Sequence, residues 1–146
     1  MTVHSISTGN WIVESLPDEW VSSPFGQYLD IKMKTKGEET VFTLDFKEEY
    51  MGNPAIRAFH GGMVAALIET SAQICNQLER NEDFLQNAET LTVDYLRPSV
   101  EGTLTAIPRV IRSGKNISIL GVDIFQEKKM VATGKVIFVV NSNKKE

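Results

Sequence analysis

The sequence predicts an α+β domain in which an antiparallel sheet wraps one long buried helix. Residues 61 to about 80 form this helix, because helix formers with apolar side chains cover most of its circumference. Two strand-like segments precede the helix and four follow it, with turn residues between them. The last two strands are apolar on both faces, which is typical of strands that are covered on both sides.

The length and charge of the chain limit the number of domains and the classes of function that we expect. A chain of 146 residues with 42% hydrophobic residues favours one domain with a substantial core. The net charge of −4 argues against a general nucleic-acid binder. Residues 1–96 hold six Lys and Arg against fifteen Asp and Glu (−9), and residues 97–146 hold nine against four (+5). The basic part fits solvated strands or a surface for a phosphorylated ligand, and we favour the first.

Cysteine content and hydropathy indicate the cellular compartment in which we expect the protein. Cys75 is the only cysteine, so no disulfide within the chain can form, which is typical of a reducing compartment. It lies on the apolar side of the predicted helix and is interpreted as a small core residue. The sequence has no N-terminal targeting pattern and no apolar run of membrane length. We therefore expect a cytoplasmic protein without a membrane partner.

We divide the chain into two parts. Residues 1–23 are an N-terminal segment with a short helix, and residues 24–146 are a single domain. Pro17 followed by two acidic residues is typical of a first helical turn, with Ser15 as its candidate cap. Ser22-Ser23-Pro24 is expected to end this helix.

The strands are predicted from alternating apolar residues and from turn residues. Before the helix they run from Tyr28 to Met33 and from Thr40 to Phe46, and Tyr50 to Pro54 is interpreted as a loop that leads into His60. After the helix they run from Thr90 to Leu96, with Leu91, Val93 and Tyr95 inward, and then over about 103–112, 115–126 and 129–140. One helix covers only one face of such a sheet, so we predict that a second subunit covers the rest and that the protein is at least a dimer.

His60-Gly61-Gly62 stands at the start of the central helix. The first backbone N–H groups of a helix have no partner within it and lie at the positive end of its dipole. Two glycines let a substrate approach these groups closely, which suits a carbonyl oxygen that becomes negative during a reaction. The alternative is that the glycines only permit close packing at a tight turn.

His60 is the histidine available for chemistry, since His4 lies in the polar N-terminal end that we expect to be loose. It can instead act as a neutral cap of the helix. No second His or Cys lies at ligand spacing from it, so we expect no metal site.

Glu69 is the acidic residue in the middle of the helix. No Lys or Arg lies three or four positions away, and burial of an unpaired carboxylate is costly. Glu69 lies about 12 Å along the helix axis from Gly61, too far to reach a carbonyl held there. An antiparallel second copy of the helix would bring the two together, and a site shared by a dimer follows. The alternative is a carboxylate that faces solvent or forms a hydrogen bond with Thr70 or Gln73.

These residues resemble a known family. His60-Gly61-Gly62 with Glu69 nine residues after the histidine, and Tyr95-Leu96-Arg97-Pro98 at the end of the next strand, resemble the hotdog-fold acyl-CoA thioesterases of the phenylacetate-degradation type. The resemblance covers about residues 24–141. It implies a homodimer or dimer of dimers that hydrolyses the thioester of a small or aromatic acyl-CoA, without a cofactor.

The resemblance also implies roles for individual residues. Glu69 would be the nucleophile or the general base, and the N–H of Gly61 or Gly62 would polarise the carbonyl. His60 would orient the loop, and Asn53 would assist near the attacking water or the carbonyl. The substrate or coenzyme A would contact Gln73, Arg97, Arg112 and Lys115. For Arg112 and Lys115 we favour the alternative that they are solvated charges of a turn. The family has an asparagine six residues before the histidine and a glycine three before it, whereas here Asn53 stands seven before and Arg57 replaces the glycine.

Two other functions fit the sequence less well. A hotdog hydratase or dehydratase also uses a histidine and an acid, and the stretch from Glu69 to Gln73 resembles its helix. Those enzymes carry a His-Phe-Pro stretch ahead of a Pro-Gly helix start, whereas here Phe59 precedes His60 and the glycines follow directly. A non-catalytic acyl-CoA sensor would join this fold to a DNA-binding helix pair, and the first 25 residues are too few and too acidic for one.

Overall fold

The architecture is an antiparallel seven-stranded sheet that wraps a 20-residue helix, in a computed structural model that describes residues 9–140. His4 lies outside the described residues. The helices are α1 (Asp18–Val21), α2 (Pro24–Tyr28) and α3 (Gly61–Arg80), with a 3-10 turn at Glu48–Tyr50. The strands are β1 (Ile12–Glu14), β2 (Lys32–Lys36), β3 (Glu39–Asp45), β4 (Met51–Asn53), β5 (Ala58–Phe59), β6 (Thr90–Tyr95), β7 (Thr103–Ser113), β8 (Ile117–Gln126) and β9 (Lys129–Val139).

The sheet order is β1-β2-β3-β7-β8-β9-β6, and every neighbouring pair is antiparallel. Strands β4 and β5 form a separate hairpin. The predicted α+β class is therefore confirmed, and the four strands after the helix begin and end within two residues of their predicted bounds. Strand β6 is an edge strand, and no strand of the described chain pairs with its outer side.

Helix α3 forms where its sequence predicts it. His60 is the N-cap and accepts a hydrogen bond from Gly62 N–H, and Asn81 ends the helix in the left-handed conformation that C-caps favour. Leu67, Ile68 and Ile74 have no exposed surface and pack on the central strands β7, β8 and β9. This contact is the centre of the core.

The N-terminal elements differ from the prediction. Helix α1 has Pro17 at its N-cap without a side-chain hydrogen bond, so Ser15 does not cap it. Helix α1 ends at Val21, directly before Ser22-Ser23-Pro24, as predicted. Ser23 also caps α2, whose first residue is Pro24, and accepts a hydrogen bond from Gly26 N–H. A serine before a proline can thus follow one helix and cap the next. Tyr28 consequently ends α2, and the strand predicted from there begins four residues later, in β2.

Three further strands, β1, β4 and β5, were missing from the prediction. Strand β1 pairs with β2, so it joins part of the N-terminal segment to the same sheet, and Trp20 from α1 lies in the core. The predicted loop before His60 contains the β4–β5 hairpin. In β6, Leu91 and Val93 are partly buried against the core as predicted, whereas Tyr95 is 56% exposed. Within residues 9–140, no helix is both long and apolar enough to cross a membrane.

Candidate active site

The β4–β5 hairpin holds the residue that caps α3. His60 N–H donates to Tyr50 O at 2.7 Å, and Phe59 N–H donates to Ser99 O at 2.8 Å. Gly52 packs against the same residue, because a Cβ added there would lie 2.5 Å from His60 Cα. The backbone of His60 is therefore fixed from both sides before the helix begins.

The side chain of His60 determines which amide is free. Its Nδ1 accepts a hydrogen bond from Gly62 N–H at 2.8 Å, so in the neutral ring the proton is assigned to Nε2. Gly62 N–H, one of the two amides predicted to bind a substrate carbonyl, is thereby occupied within the chain. Gly61 N–H has no acceptor among residues 9–140. It is the amide that remains for a ligand at the positive end of the helix.

Glu69 lies on the exposed side of α3, although Ile68 and Thr70 beside it are buried. The expectation of a buried carboxylate is therefore wrong for a single chain. The 3.6-residue period places Glu69 on the same stripe as Gly62, Ala65 and Ala66, which points away from the sheet. No side chain among residues 9–140 forms a hydrogen bond or ion pair with it.

Cys75 has the properties of a core residue rather than of a nucleophile. It is partly buried and packs against the core. Burial, with the nearby carboxylate of Glu79, raises the pKa of its thiol to about 11. The thiol is therefore protonated at neutral pH and is a poor nucleophile.

Asn53 takes part in the hairpin turn. Its Oδ1 accepts a hydrogen bond from Ala55 N–H at 3.1 Å, and the pairing between β4 and β5 changes register between Met51 and Asn53. In this chain the side-chain carbonyl of Asn53 stabilises the turn.

The predicted coenzyme-binding residues lie at opposite ends of α3. Arg80 Nη1, at the C-terminal end, donates to Gly114 O at 2.8 Å, so the turn that carries Arg112 and Lys115 lies about 28 Å along the helix from Gly61. Arg97 follows Tyr95 in the chain and lies near the N-terminal end. Within one chain, Arg112 and Lys115 therefore lie far from the start of α3.

Gln73 already has a structural partner, because its Nε2 donates to Gln86 O at 2.8 Å and holds the segment after the helix. A cavity of about 840 Å³ opens beside Arg97, Ile56 and Lys129. Neither Gly61 nor Glu69 lines it, so it is separate from the helix stripe. In the described chain no group of three or more His, Cys, Asp or Glu residues is arranged to hold a metal ion.

The structure thus brings together His60, Gly61 and Gly62, and it adds a residue to which the sequence analysis gave no role at this site. Tyr95 OH donates to Gly61 O at 2.8 Å. The sequence signal for it was present in the Tyr95-Leu96-Arg97-Pro98 stretch, but only the pairing of β6 with β9 places the phenol at the helix start.

Comparisons with known proteins agree with this geometry. The family model described as the acyl-CoA thioesterase N-terminal domain matches residues 50–139, which include the hairpin, α3 and the last four strands. The Escherichia coli K12 protein YigI, a medium/long-chain acyl-CoA thioesterase, is 26% identical over 133 residues, covering 80% of this chain and 85% of YigI.

Two solved structures share the fold. The E. coli PaaI protein from the phenylacetic acid degradation operon is 24% identical, with a TM-score of 0.68 over 85% of this chain and 89% of that chain. A Bacillus halodurans protein solved with CoA is 20% identical, with a TM-score of 0.70 over 84% of this chain and 82% of that chain. These likenesses confirm the predicted hotdog architecture.

The matched family model spans residues 50–139, which is more than half of the chain. The chain therefore belongs to the acyl-CoA thioesterase family, and it is a thioester hydrolase of the hotdog fold.

Proposed function

We propose that this protein hydrolyses acyl-CoA thioesters at a site that two copies of the chain share. Glu69 of one copy faces the thioester, and Gly61 N–H of the other copy binds its carbonyl oxygen. The family membership supports the reaction, and the placement of the two groups in one chain supports the sharing.

One observation carries the shared site. Glu69 and Gly61 N–H each lack a partner among the described residues, and both are at the surface of α3, yet they are about 12 Å apart along its axis. A carboxylate cannot act on a carbonyl at that distance, because catalytic groups need to lie about 3 Å from the reacting atoms. If a second α3 packed antiparallel to the first, Glu69 of one copy would lie close to Gly61 N–H of the other.

The surfaces next to these groups suit a second copy. The stripe of α3 around Glu69 carries the small residues Gly62, Ala65 and Ala66, which allow two helices to approach closely. Strand β6, which ends beside Gly61, presents an unpaired backbone edge. An antiparallel β6–β6 pair would continue the sheet and place the two helices side by side. A homodimer is the smallest assembly, and a dimer of dimers contains the same site.

The chemistry follows from these groups. Gly61 N–H stabilises the oxyanion that forms when the thioester carbonyl is attacked. Glu69 either removes a proton from the attacking water or attacks the carbonyl carbon itself to form an anhydride that water then hydrolyses. In both routes the C–S bond breaks and its electron pair leaves with the sulfur of coenzyme A. In the general-base route this thiolate takes the proton that Glu69 removed from water. In the anhydride route it takes a proton from the solvent, and water then hydrolyses the anhydride to the free acid and Glu69. His60 holds the turn through Gly62, as proposed from its sequence position.

The acyl group is the finer part of the proposal. The resemblance to the phenylacetate-degradation type favours a small or aromatic acyl group, whereas the name of YigI gives medium-chain and long-chain acyl groups for that relative. A panel of acetyl-, phenylacetyl-, benzoyl-, octanoyl- and palmitoyl-CoA separates the two. The lone, partly buried Cys75 supports the cytoplasmic location, which cell fractionation tests.

Glu69→Gln tests the reaction. We expect the substitution to lower kcat for thiol release at least about 100-fold, because the amide can neither attack nor accept a proton. Thiol release from the acyl-CoA panel is the measurement. Glu79→Gln is the matched control, since Glu79 is also an exposed glutamate of α3. Its rate should equal that of the wild type.

Other results would favour the alternative functions. Thiol release that survives Glu69→Gln removes Glu69 from the mechanism. An enoyl product without thiol release would favour a hydratase or dehydratase. A ligand that raises thermal stability without being cleaved would favour a non-catalytic acyl-CoA-binding protein.

A further inference from the structure

Tyr95 is an exposed tyrosine with a hydrogen bond to the helix start. It lies on the helix-facing side of β6, opposite Ala132 of β9, and its OH donates to Gly61 O at 2.8 Å. The residue is 56% exposed, so burial of its ring contributes little to the core of one chain. Its defined contact is therefore the first turn of α3.

Together with His60, Tyr95 holds the peptide group between Gly61 and Gly62 in place. Gly61 C=O and Gly62 N–H belong to the same peptide unit. Tyr95 OH binds the carbonyl end, and His60 Nδ1 binds the N–H end at 2.8 Å. Hydrogen bonds at both ends of a peptide polarise it and strengthen each other. The plane of this peptide is held by two side chains from different elements.

The aromatic ring also limits the space at Gly61. A Cβ added to Gly61 would lie 3.3 Å from Tyr95 Cε1 and 3.4 Å from Cζ. The ring thus lies directly over the glycine backbone. Any rotation of Gly61 toward the ring would bring its atoms into contact with it.

We infer that Tyr95 is a positioning residue that aims Gly61 N–H at the substrate carbonyl. This inference rests on the proposed function, in which Gly61 N–H binds the oxyanion. That N–H belongs to the peptide between His60 and Gly61. Its N-terminal side is held by His60 N–H on Tyr50 O, and its C-terminal side by the peptide that Tyr95 binds. Tyr95 touches neither the acyl group nor Glu69 in this arrangement.

Tyr95→Phe removes the hydroxyl and keeps the ring. We expect kcat for acyl-CoA hydrolysis to fall about 5- to 30-fold, because an oxyanion donor that moves stabilises the transition state less well. We expect KM to change by less than about twofold, because the hydroxyl does not contact the ground-state substrate. Steady-state thiol release measures both constants.

Tyr28→Phe is the matched control. Tyr28 OH also donates to a backbone carbonyl, Glu49 O, at 3.0 Å, and the residue is 39% exposed. This variant loses the same kind of bond at a carbonyl that belongs to neither Gly61 nor Gly62. Its kcat should equal that of the wild type, and the melting temperatures of the two variants should be similar.

The amide resonances of the two glycines provide a readout that does not depend on activity. In a ¹H–¹⁵N spectrum of the full chain, Tyr95→Phe should shift the Gly62 signal, because the carbonyl of the same peptide loses its donor, whereas Tyr28→Phe should not. Unchanged glycine signals, or a Tyr95→Phe enzyme with wild-type kcat, would overturn the role of Tyr95. A rise in KM alone would overturn it too. If the wild type cleaves no acyl-CoA although the Gly62 signal shifts, the positioning of Gly61 stands and the proposed function fails.

Discussion

Arg57 adopts a backbone conformation that favours glycine. Its φ is 50°, in the left-handed region, at the position where the family pattern has a glycine. The side chain has partners that offset this strain: Nε donates to Glu101 Oε2 at 2.8 Å, Nη2 pairs with Glu48, and the guanidinium lies 5.5 Å from the centre of the Phe46 ring. Where the family has a glycine that adopts this conformation freely, Arg57 is held in it by side-chain contacts, which also stabilise the hairpin before His60.

Arg57→Gly and Arg57→Ala should differ in stability. Both variants lose the ion pairs of Arg57. The left-handed φ at this position is unfavourable for alanine, whereas glycine adopts it without steric cost. We expect the melting temperature of Arg57→Ala to lie several degrees below that of Arg57→Gly. Differential scanning calorimetry at neutral pH measures the difference. Equal melting temperatures would show that the backbone at this position relaxes without cost.

The acid dependence of the same variants is the control. Arg57 lowers the pKa of Glu101 through their hydrogen bond and charge interaction. A carboxylate with a lowered folded-state pKa stabilises the protein at neutral pH, and this contribution is lost as the pH falls below the ordinary value of 4.5. The melting temperature of the wild type should therefore fall more steeply in acid than that of either variant. The two variants should share the same flatter profile.

At the scale of the elements, α3 packs closely on the sheet at Gly134 of β9. A Cβ added there would lie 2.7 Å from Ile68 Cγ2 and 3.1 Å from Thr92 O. The carbonyl belongs to the paired strand β6 and cannot move freely. A glycine here lets the fully buried Ile68 lie against the strand, and it sets how deeply the helix lies in the sheet.

Gly134→Ala should destabilise the fold by about 1–3 kcal/mol, because the added methyl overpacks the contact between helix and sheet. Urea unfolding measures the change. Lys135→Ala, at the exposed neighbouring position, is the control and should change stability little. In an Ile68→Ala background the added methyl has room, so its cost should shrink. The same cost in both backgrounds would mean that Ile68 is not the obstacle.

At the scale of the whole molecule, the described chain leaves apolar residues uncovered. The exposed apolar residues include Tyr95 and Leu96 at the end of β6, and Ile111, Ile117 and Val139 on the sheet. The dimer was predicted because one helix covers only one face of the sheet. These exposed apolar residues are the surface that a second subunit would cover. The proposed shared site gives such a dimer a catalytic consequence.

Two inactive variants should restore activity to each other in mixed dimers. Glu69→Gln removes the acid. Gly61→Pro removes the free N–H. Proline suits the first helical position, and His60 already has the extended φ of −61° and ψ of 136° that must precede it. The Tyr95 ring would have to give by a few tenths of an ångström. A mixed dimer contains one site with both Glu69 and Gly61 intact.

Co-expression with two affinity tags yields these mixed dimers. We expect about half of the wild-type thiol release, because one of two symmetric sites is complete. Each homodimer of a single variant should stay inactive. No recovery in purified mixed dimers, or a wild-type chain that is active as a monomer, would place both groups of the site in one chain.

The sequence predicted the elements whose pattern is local. The period of the apolar residues predicts α3, and alternation with turn residues predicts β6 to β9 within two residues. It did not predict β1, the β4–β5 hairpin or the start of β2. These short elements have few residues to show a period, and they are held by contacts with distant segments, such as Phe59 N–H with Ser99 O.

The sequence by itself determined the class of the fold, the helix that begins at His60-Gly61-Gly62 and the acid at Glu69, because these depend on residue type and spacing along the chain. Only the tertiary structure decided that Gly62 N–H is occupied by His60 and Gly61 N–H is free, that Glu69 is exposed, and that Tyr95 reaches the helix start. Hydrogen bonds between distant segments and the side on which a helix packs depend on the pairing of the strands. No local pattern of residues carries that information.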